Sequence, residues 1–196
     1  MKRVYCTSIL KQGSTYELEK KYYIHLVKVM RLKVGDHVSL FNNTSGEWKS
    51  EIVDIKNNFL IAKTISQVSP PQAETSIDLM FSPIKYQNSE SVIRQSTEMG
   101  IRSIFPTIFK RTINTKINLS KFNTYAIGAA QQSERLSIPN IHDLNVLKNQ
   151  SKIISSKTIL MFDENLKGIH LSKAKIKSNS EILVVIGPEG GFEEEE

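Results

Sequence analysis

A single cysteine, Cys6, stands among the 196 residues. That excludes a disulfide framework and any zinc site built from several thiolates. The four histidines (His25, His37, His142, His170) are scattered without metal-ligand spacing, so no metal is expected. No apolar run approaches the roughly 18–20 residues that a membrane-spanning helix requires. The opening MKRVYCTSIL lacks the long apolar stretch of a signal peptide. A soluble, cytoplasmic, metal-free protein with no membrane partner is the expectation. Apolar residues at 39% and charged residues at 23% are enough for a packed core, which argues against wholesale disorder.

What is present is positive charge, unevenly placed. Residues 1–72 carry 11 Lys/Arg against 6 Asp/Glu, and residues 73–186 carry 15 against 9. The last ten residues carry five Glu and no base. The body is therefore +11, offset by an acidic end, and a surface of that sign suits a polyanionic partner.

Two prolines in Val68-Ser69-Pro70-Pro71-Gln72 mark a linker. Before it the chain reads as strands with one early helix. Lys2–Cys6, His37–Phe41, Glu47–Ile55 and Phe59–Ile65 are strand candidates, separated by turn chemistry at Asn42–Gly46 and Asn57-Asn58. Ser14 and Glu17 fit a capping box, predicting a helix that places Leu18, Tyr22, Leu26 and Met30 on one face. Residues 1–70 are expected to form a compact barrel. After the linker, strands alternate with helices. Ile77–Ser82, Ile101–Phe109, Thr158–Phe162 and Glu181–Ile186 read as strands, and Ser89–Met99 and Ser120–Arg135 as helices. The continuous apolar runs predict a parallel sheet between helix layers over residues 73–196.

Three segments carry candidate chemistry. The first, Gly187-Pro188-Glu189-Gly190-Gly191-Phe192, follows the last strand directly. Ligands in open α/β sheets gather beyond the carboxyl ends of strands, and glycines let backbone approach a ligand closely. The plain alternative is a tight turn before a helix begun by Glu193–Glu196. The second, Gln131-Gln132-Ser133-Glu134-Arg135 before Pro139, crowds polar groups at a helix end, and Arg135 suits phosphate. The third, His25, Lys28 and Arg31, is spaced by three, predicting a basic stripe on one helix face. Taken alone, each of these last two segments also reads as an ordinary solvated helix surface.

In this order the segments resemble the RsmE family of small-subunit ribosomal RNA methyltransferases, within the SPOUT superfamily. The shared pattern runs through His25 to Asp36, Glu98-Met99-Gly100-Ile101, Gln131-Gln132-Ser133-Glu134-Arg135…Pro139 and, without change, Ile186–Phe192. The chain departs from it at Gln95, Gln131 and Glu134, where the family usually carries Lys, Glu and Gly. Family members also continue past the glycine loop, so the resemblance implies a SPOUT domain that is incomplete at its carboxyl end, its trefoil knot not closed.

The resemblance further implies a PUA-like β-barrel for RNA binding followed by an α/β methyltransferase domain. The reaction would be S-adenosylmethionine (SAM)-dependent methylation of N3 of one uridine in 16S rRNA, by a homodimer acting on the small ribosomal subunit. It assigns SAM binding to Gly187, Pro188, Glu189, Gly190 and Gly191, with Phe162 and Asp163 as a second wall. Arg135 and Glu189 become the catalytic candidates. Arg3, Lys28, Arg31, Lys33, Lys110, Arg111, Gln132 and Ser133 become RNA contacts. Two other readings stay open: a non-catalytic RNA-binding remnant of such an enzyme, and a SPOUT methyltransferase acting on another RNA.

Overall fold

The computed structural model describes the chain except Met1, Lys85, residues 163–167, Ser178 and Asn179, and the side chains of Tyr86 and Gln87. It divides into two units. One comprises Met1–Ala73 with Glu134–Ser137, the other Glu74–Ser133 with Ile138–Glu196.

The first unit is a five-stranded sheet built from β1 (Lys2–Tyr5), β2 (Thr15–Leu18), β3 (His37–Asn42), β4 (Gly46–Lys56) and β5 (Phe59–Ser69), in the order β1-β3-β4-β5-β2. Its core gathers Val4, Leu18, Leu26, Val38, Leu40, Ile52 and Leu60, all at most 3% exposed. The two turn predictions hold. Asn42 Oδ1 accepts from the Ser45 amide at 2.6 Å, and Asn58 takes the left-handed φ of 77° that a two-residue hairpin turn needs. Strand β5 runs four residues past the expected end at Ile65, because β4 remains its partner as far as Glu47 opposite Ser69.

The capping box is not one. Thr15–Leu18 pairs antiparallel with Leu60–Lys63, so a tertiary ladder overrides the local helix signal. The helix α1 starts at Lys20 and spans Lys20–Tyr23. It widens into a π-helical turn over Ile24–Val29, where Met30 N donates to His25 O at 3.0 Å, five residues back. Arg31 lies beyond it at φ 58°. The expected basic stripe therefore fails: spacing by three aligns side chains only in an α-helix, and Arg31 is not helical.

The second unit is a parallel sheet in the order β10-β11-β6-β7-β8. Its strands are β6 (Ile77–Phe81), β7 (Ser103–Ile108), β8 (Asn140–Ile141), β9 (Asn145–Val146), β10 (Thr158–Phe162) and β11 (Ile182–Ile186). Side chains alternate across it as the pleat requires. Leu79, Phe81 and Ile104 face α2 (Tyr86–Met99) and α3 (Leu119–Gln132) through Ile93, Phe122 and Ala126. Met80, Phe105, Leu183 and Val185 face Ile153 and Ile154 of α4 (Ser151–Ser155). Gly100 ends α2 at φ 82°, with the Ile101 amide reaching back to Ser96 O at 3.0 Å. Helix α3 stops three residues before the expected Arg135, because Glu134 turns to φ 58°.

Pro106 sits inside β7 without cost. Ile104 O accepts from His142 N at 2.9 Å, so alternate residues, Pro106 included, face that side. There the partner changes from β8 to β9 and leaves residues 105 and 106 without a ladder partner on that side, while β6 pairs them on the other. Proline's missing N–H is not needed at that point.

At the amino ends of the strands, Asp78 is buried, with 1% of its side chain exposed, between Arg102 Nη2 at 2.8 Å and Lys157 Nζ at 2.5 Å. Both cations also hold Glu181, at 2.9 and 2.8 Å. Burial pulls the Asp78 carboxyl up, but the hydrogen bonds from Arg102 and Lys157 outweigh it and leave the group below its usual range. Hydrogen bonds from the same two cations bring Glu181 down to about 2. Both folded-state values are depressed. Their stabilisation is therefore present above the unfolded carboxylate range, near pH 4, and is lost as pH falls towards 2. Asp78→Asn, which leaves Arg102 and Lys157 to share Glu181, should destabilise by about 1–3 kcal/mol. It should also flatten the acid limb of thermal melts recorded between pH 2 and 5.

Candidate functional site

Strand β11 pairs with β6 on one side and β10 on the other, all parallel, so three strands deliver their carboxyl ends to one edge. Phe162 stands in register with Ile186, and both are about half exposed, at 52% and 47%. Ser82 N donates to Ile186 O at 3.0 Å, which carries the pairing to the last residue before the glycines.

The bend itself is tightly determined. Gly191 N donates to Pro188 O at 2.9 Å, closing a turn, and Gly191 holds φ 73°. The Phe192 ring lies against Gly187, where an added Cβ would come within 2.6 Å of it. That ring packs edge-on against Phe109, centroids 5.4 Å apart, so it has a fixed seat. Pro188 and Gly191 are buried, whereas Glu189 and Gly190 are exposed. Glu189 and Pro188 border a small cleft of about 50 Å³ with Pro83, Ile84, Ile113 and Asn114. Glu196 N reaches Glu193 O at 3.0 Å, so Glu193–Glu196 form a turn.

That turn meets the loop after β7. Arg111 Nε donates to Glu193 Oε1 at 2.6 Å, and its Nη1 to Gly190 O at 2.7 Å. Lys110 Nζ pairs with Glu195 at 2.5 Å. Two expected RNA contacts therefore lie beside the glycine bend, with acidic partners.

The other expected site residues are distributed as follows. Gln132 is the last residue of α3, and Ser133 caps it, its hydroxyl bonded back to Ala129 O at 2.8 Å. Asp163 lies outside the described residues. In the first unit Lys28, Arg31 and Lys33 are exposed. Arg3, the other expected RNA contact of this unit, is not. Only 7% of its side chain is exposed, its guanidinium forks onto Glu47 at 3.1 and 3.0 Å, and it stacks 4.1 Å from the centre of Phe41. Its charge is matched inside the sheet. Its Nη2 also donates to the carbonyl of Arg135 at 3.0 Å, fixing the backbone that bears Arg135. The sequence offers a partial signal for these pairings, since a basic pair at 110–111 and an acidic block at 193–196 are complementary. Nothing in it singles out Glu47 for Arg3.

Among the described residues, no group of three or more His, Cys, Asp or Glu could hold a metal ion. No described helix is long and apolar enough to cross a membrane.

Comparison with known proteins gives these features a context. Residues 71–196 match a family described as an RNA methyltransferase domain, and residues 23–65 one described as an RNA methyltransferase PUA domain. The chain is 32% identical over 198 residues to the ribosomal RNA small subunit methyltransferase E of Rickettsia conorii, covering 99% of this chain and 80% of that protein. Its counterpart in Buchnera aphidicola is 26% identical over 203 residues, covering 97% and 78%. The fold is similar to that of a ribosomal RNA small subunit methyltransferase E from Neisseria gonorrhoeae, solved bound to S-adenosyl methionine. There the TM-score is 0.86 at 23% identity, over 100% of this chain and 82% of that one. It is also similar to a Legionella pneumophila structure in complex with SAM, with a TM-score of 0.84 at 23% identity over 99% and 82%. On the match over residues 71–196 and a relative 32% identical along 99% of this chain, the chain belongs to the RNA methyltransferase family that includes ribosomal RNA small subunit methyltransferase E.

Proposed function

We propose that the protein methylates N3 of a uridine in the 16S rRNA of the small ribosomal subunit, with SAM as donor. The observation that carries this is the glycine bend at the carboxyl end of β11, beside the half-exposed rings and side chains of Phe162 and Ile186. The relatives support it as rRNA methyltransferases, and two solved neighbours hold SAM. The residues fit a nucleoside. Phe162 stands in register with Ile186, the residue before the bend, and Glu189 and Gly190 are exposed beyond it. Gly187, Pro188, Glu189, Gly190 and Gly191 would hold the donor, with Phe162 as a second wall.

SAM supplies a methyl group already activated by its sulfonium. The protein's part is to align that carbon with N3 and to help the N3 proton leave, because protonated N3 is a poor nucleophile. In this reading Glu189 receives the proton. Arg135 orients the target phosphate or offsets the negative charge growing on the uridine oxygen. Lys28, Arg31 and Lys33 contact the RNA backbone, Gln132 and Ser133 contact the base edge, and a homodimer in the cytoplasm is the working form. A second reading, a non-catalytic RNA-binding protein, is favoured by Gln95, Gln131 and Glu134, which stand where the family usually carries Lys, Glu and Gly.

Calorimetry with SAM separates the two. Saturable binding supports the enzyme, and its absence leaves the RNA-binding reading. Digestion of 16S rRNA after incubation with SAM should yield 3-methyluridine; methyl on carbon 5 or on ribose would overturn the N3 assignment. Gly187→Ala drives a methyl into the Phe192 ring. It should weaken SAM binding about tenfold or more and cost about 1–3 kcal/mol of stability by overpacking. The logarithm of RNA affinity should fall linearly with the logarithm of salt concentration, and Lys28→Ala should lower that slope by about one.

A further inference from the structure

We propose that Arg111 is a positioning residue for the glycine bend, holding one peptide group of the donor site in place rather than binding RNA. This rests on the reading of Gly187–Gly191 as the SAM site.

Arg111 and Gly190 are far apart in sequence and meet through two different acceptors. The guanidinium donates to the Gly190 carbonyl at 2.7 Å and to the Glu193 carboxylate at 2.6 Å. Its stem lies across Gly190, with Cβ and Cδ 3.4 Å from where a side chain on that glycine would begin. An exposed ion pair by itself contributes little. Here, however, the same guanidinium bridges a carboxylate and a backbone carbonyl, and the fork geometry that does this is particular to arginine.

The consequence follows from peptide planarity. Gly190 O and Gly191 N belong to one peptide unit. Its oxygen is held by Arg111, and its N–H is held by Pro188 O at 2.9 Å. With both ends held, a planar unit has little freedom to rotate. Glycine on each side would otherwise make this the most easily rotated peptide of the bend. Two further ties hold Arg111's own loop to the same turn: Lys110 N donates to Glu196 Oε1 at 2.7 Å, and Phe109 packs on Phe192. Thr112 completes that loop, bonded to Ser82 Oγ at 2.8 Å and accepting from Phe109 N at 2.8 Å. The charges of Lys110 and Arg111 are thus directed at Glu193 and Glu195.

The test uses the full chain with Arg111→Ala, and Arg111→Lys and Glu193→Gln as milder variants that keep the loop filled. Amide hydrogen exchange without ligand should speed up at Gly191 in all three, most in Arg111→Ala. The SAM dissociation constant should rise about tenfold in Arg111→Ala. Lysine should not restore it, because a single ammonium lacks the fork. The salt slope of RNA binding should not change. Wild-type exchange at Gly191 in Arg111→Ala overturns the proposal. So does an unchanged SAM affinity accompanied by a salt slope lower by about one, which would mark Arg111 as a phosphate contact. If the wild-type chain does not bind SAM, the reading of the bend as a donor site falls, and exchange at Gly191 alone decides whether Arg111 holds it.

Discussion

Asp78 ties together four parallel strands. It lies in β6, while Arg102 immediately precedes β7, Lys157 immediately precedes β10 and Glu181 immediately precedes β11. A carboxylate so nearly withdrawn from water is tolerated only with matched positive partners, and the partners come from the strands on either side. The starting points of those strands are therefore fixed relative to one another. Because the strands are parallel and similar in length, fixing where they begin also fixes where they end. Phe162, Ile186 and Ser82 reach the opposite edge together for this reason. The chemistry proposed at that edge depends on ion pairing at the other.

Much of this architecture is legible in the sequence. The apolar runs at Ile77–Ser82, Thr158–Phe162 and Glu181–Ile186 read as strands of a parallel sheet, and helices α2 and α3 cover one of its faces. Thr158–Phe162, however, is not buried on both faces: it stands at the sheet edge with Ile159, Met161 and Phe162 43–52% exposed. Gly100 is legible as a helix stop because only a residue tolerant of positive φ fits that position. The errors share one cause. Ser14 to Glu17 carries a correct local helix signal, but β5 offers Thr15–Leu18 a ladder of backbone hydrogen bonds some forty residues away. His25, Lys28 and Arg31 fall out of line because the helix changes pitch beneath them. Local patterns do not encode such long-range or geometric choices.

The candidate site was legible in outline and misread in detail. Glycines after an apolar strand announce a tight bend at its carboxyl end. They do not announce that Phe192 folds back over Gly187. Counting basic residues overstates the charge available to RNA, because several cations are matched internally. Arg3 faces Glu47, Arg102 and Lys157 face Asp78, and Lys110 and Arg111 face the acidic turn. The exposed positive surface of the first unit is carried instead by residues such as Lys28, Arg31 and Lys33.

The first unit is not continuous in sequence. Residues 134–137 belong to it, Leu136 is 5% exposed, and Arg3 donates to the Arg135 carbonyl. On the ribosome these pieces emerge in order. A nascent chain of 73 residues has every strand of that unit yet lacks its final segment, and some sixty residues of the other unit must be synthesised before it arrives. The amino-terminal unit can thus be completed only after much of its neighbour has been made. The order of synthesis and the partition into units are interleaved along this chain.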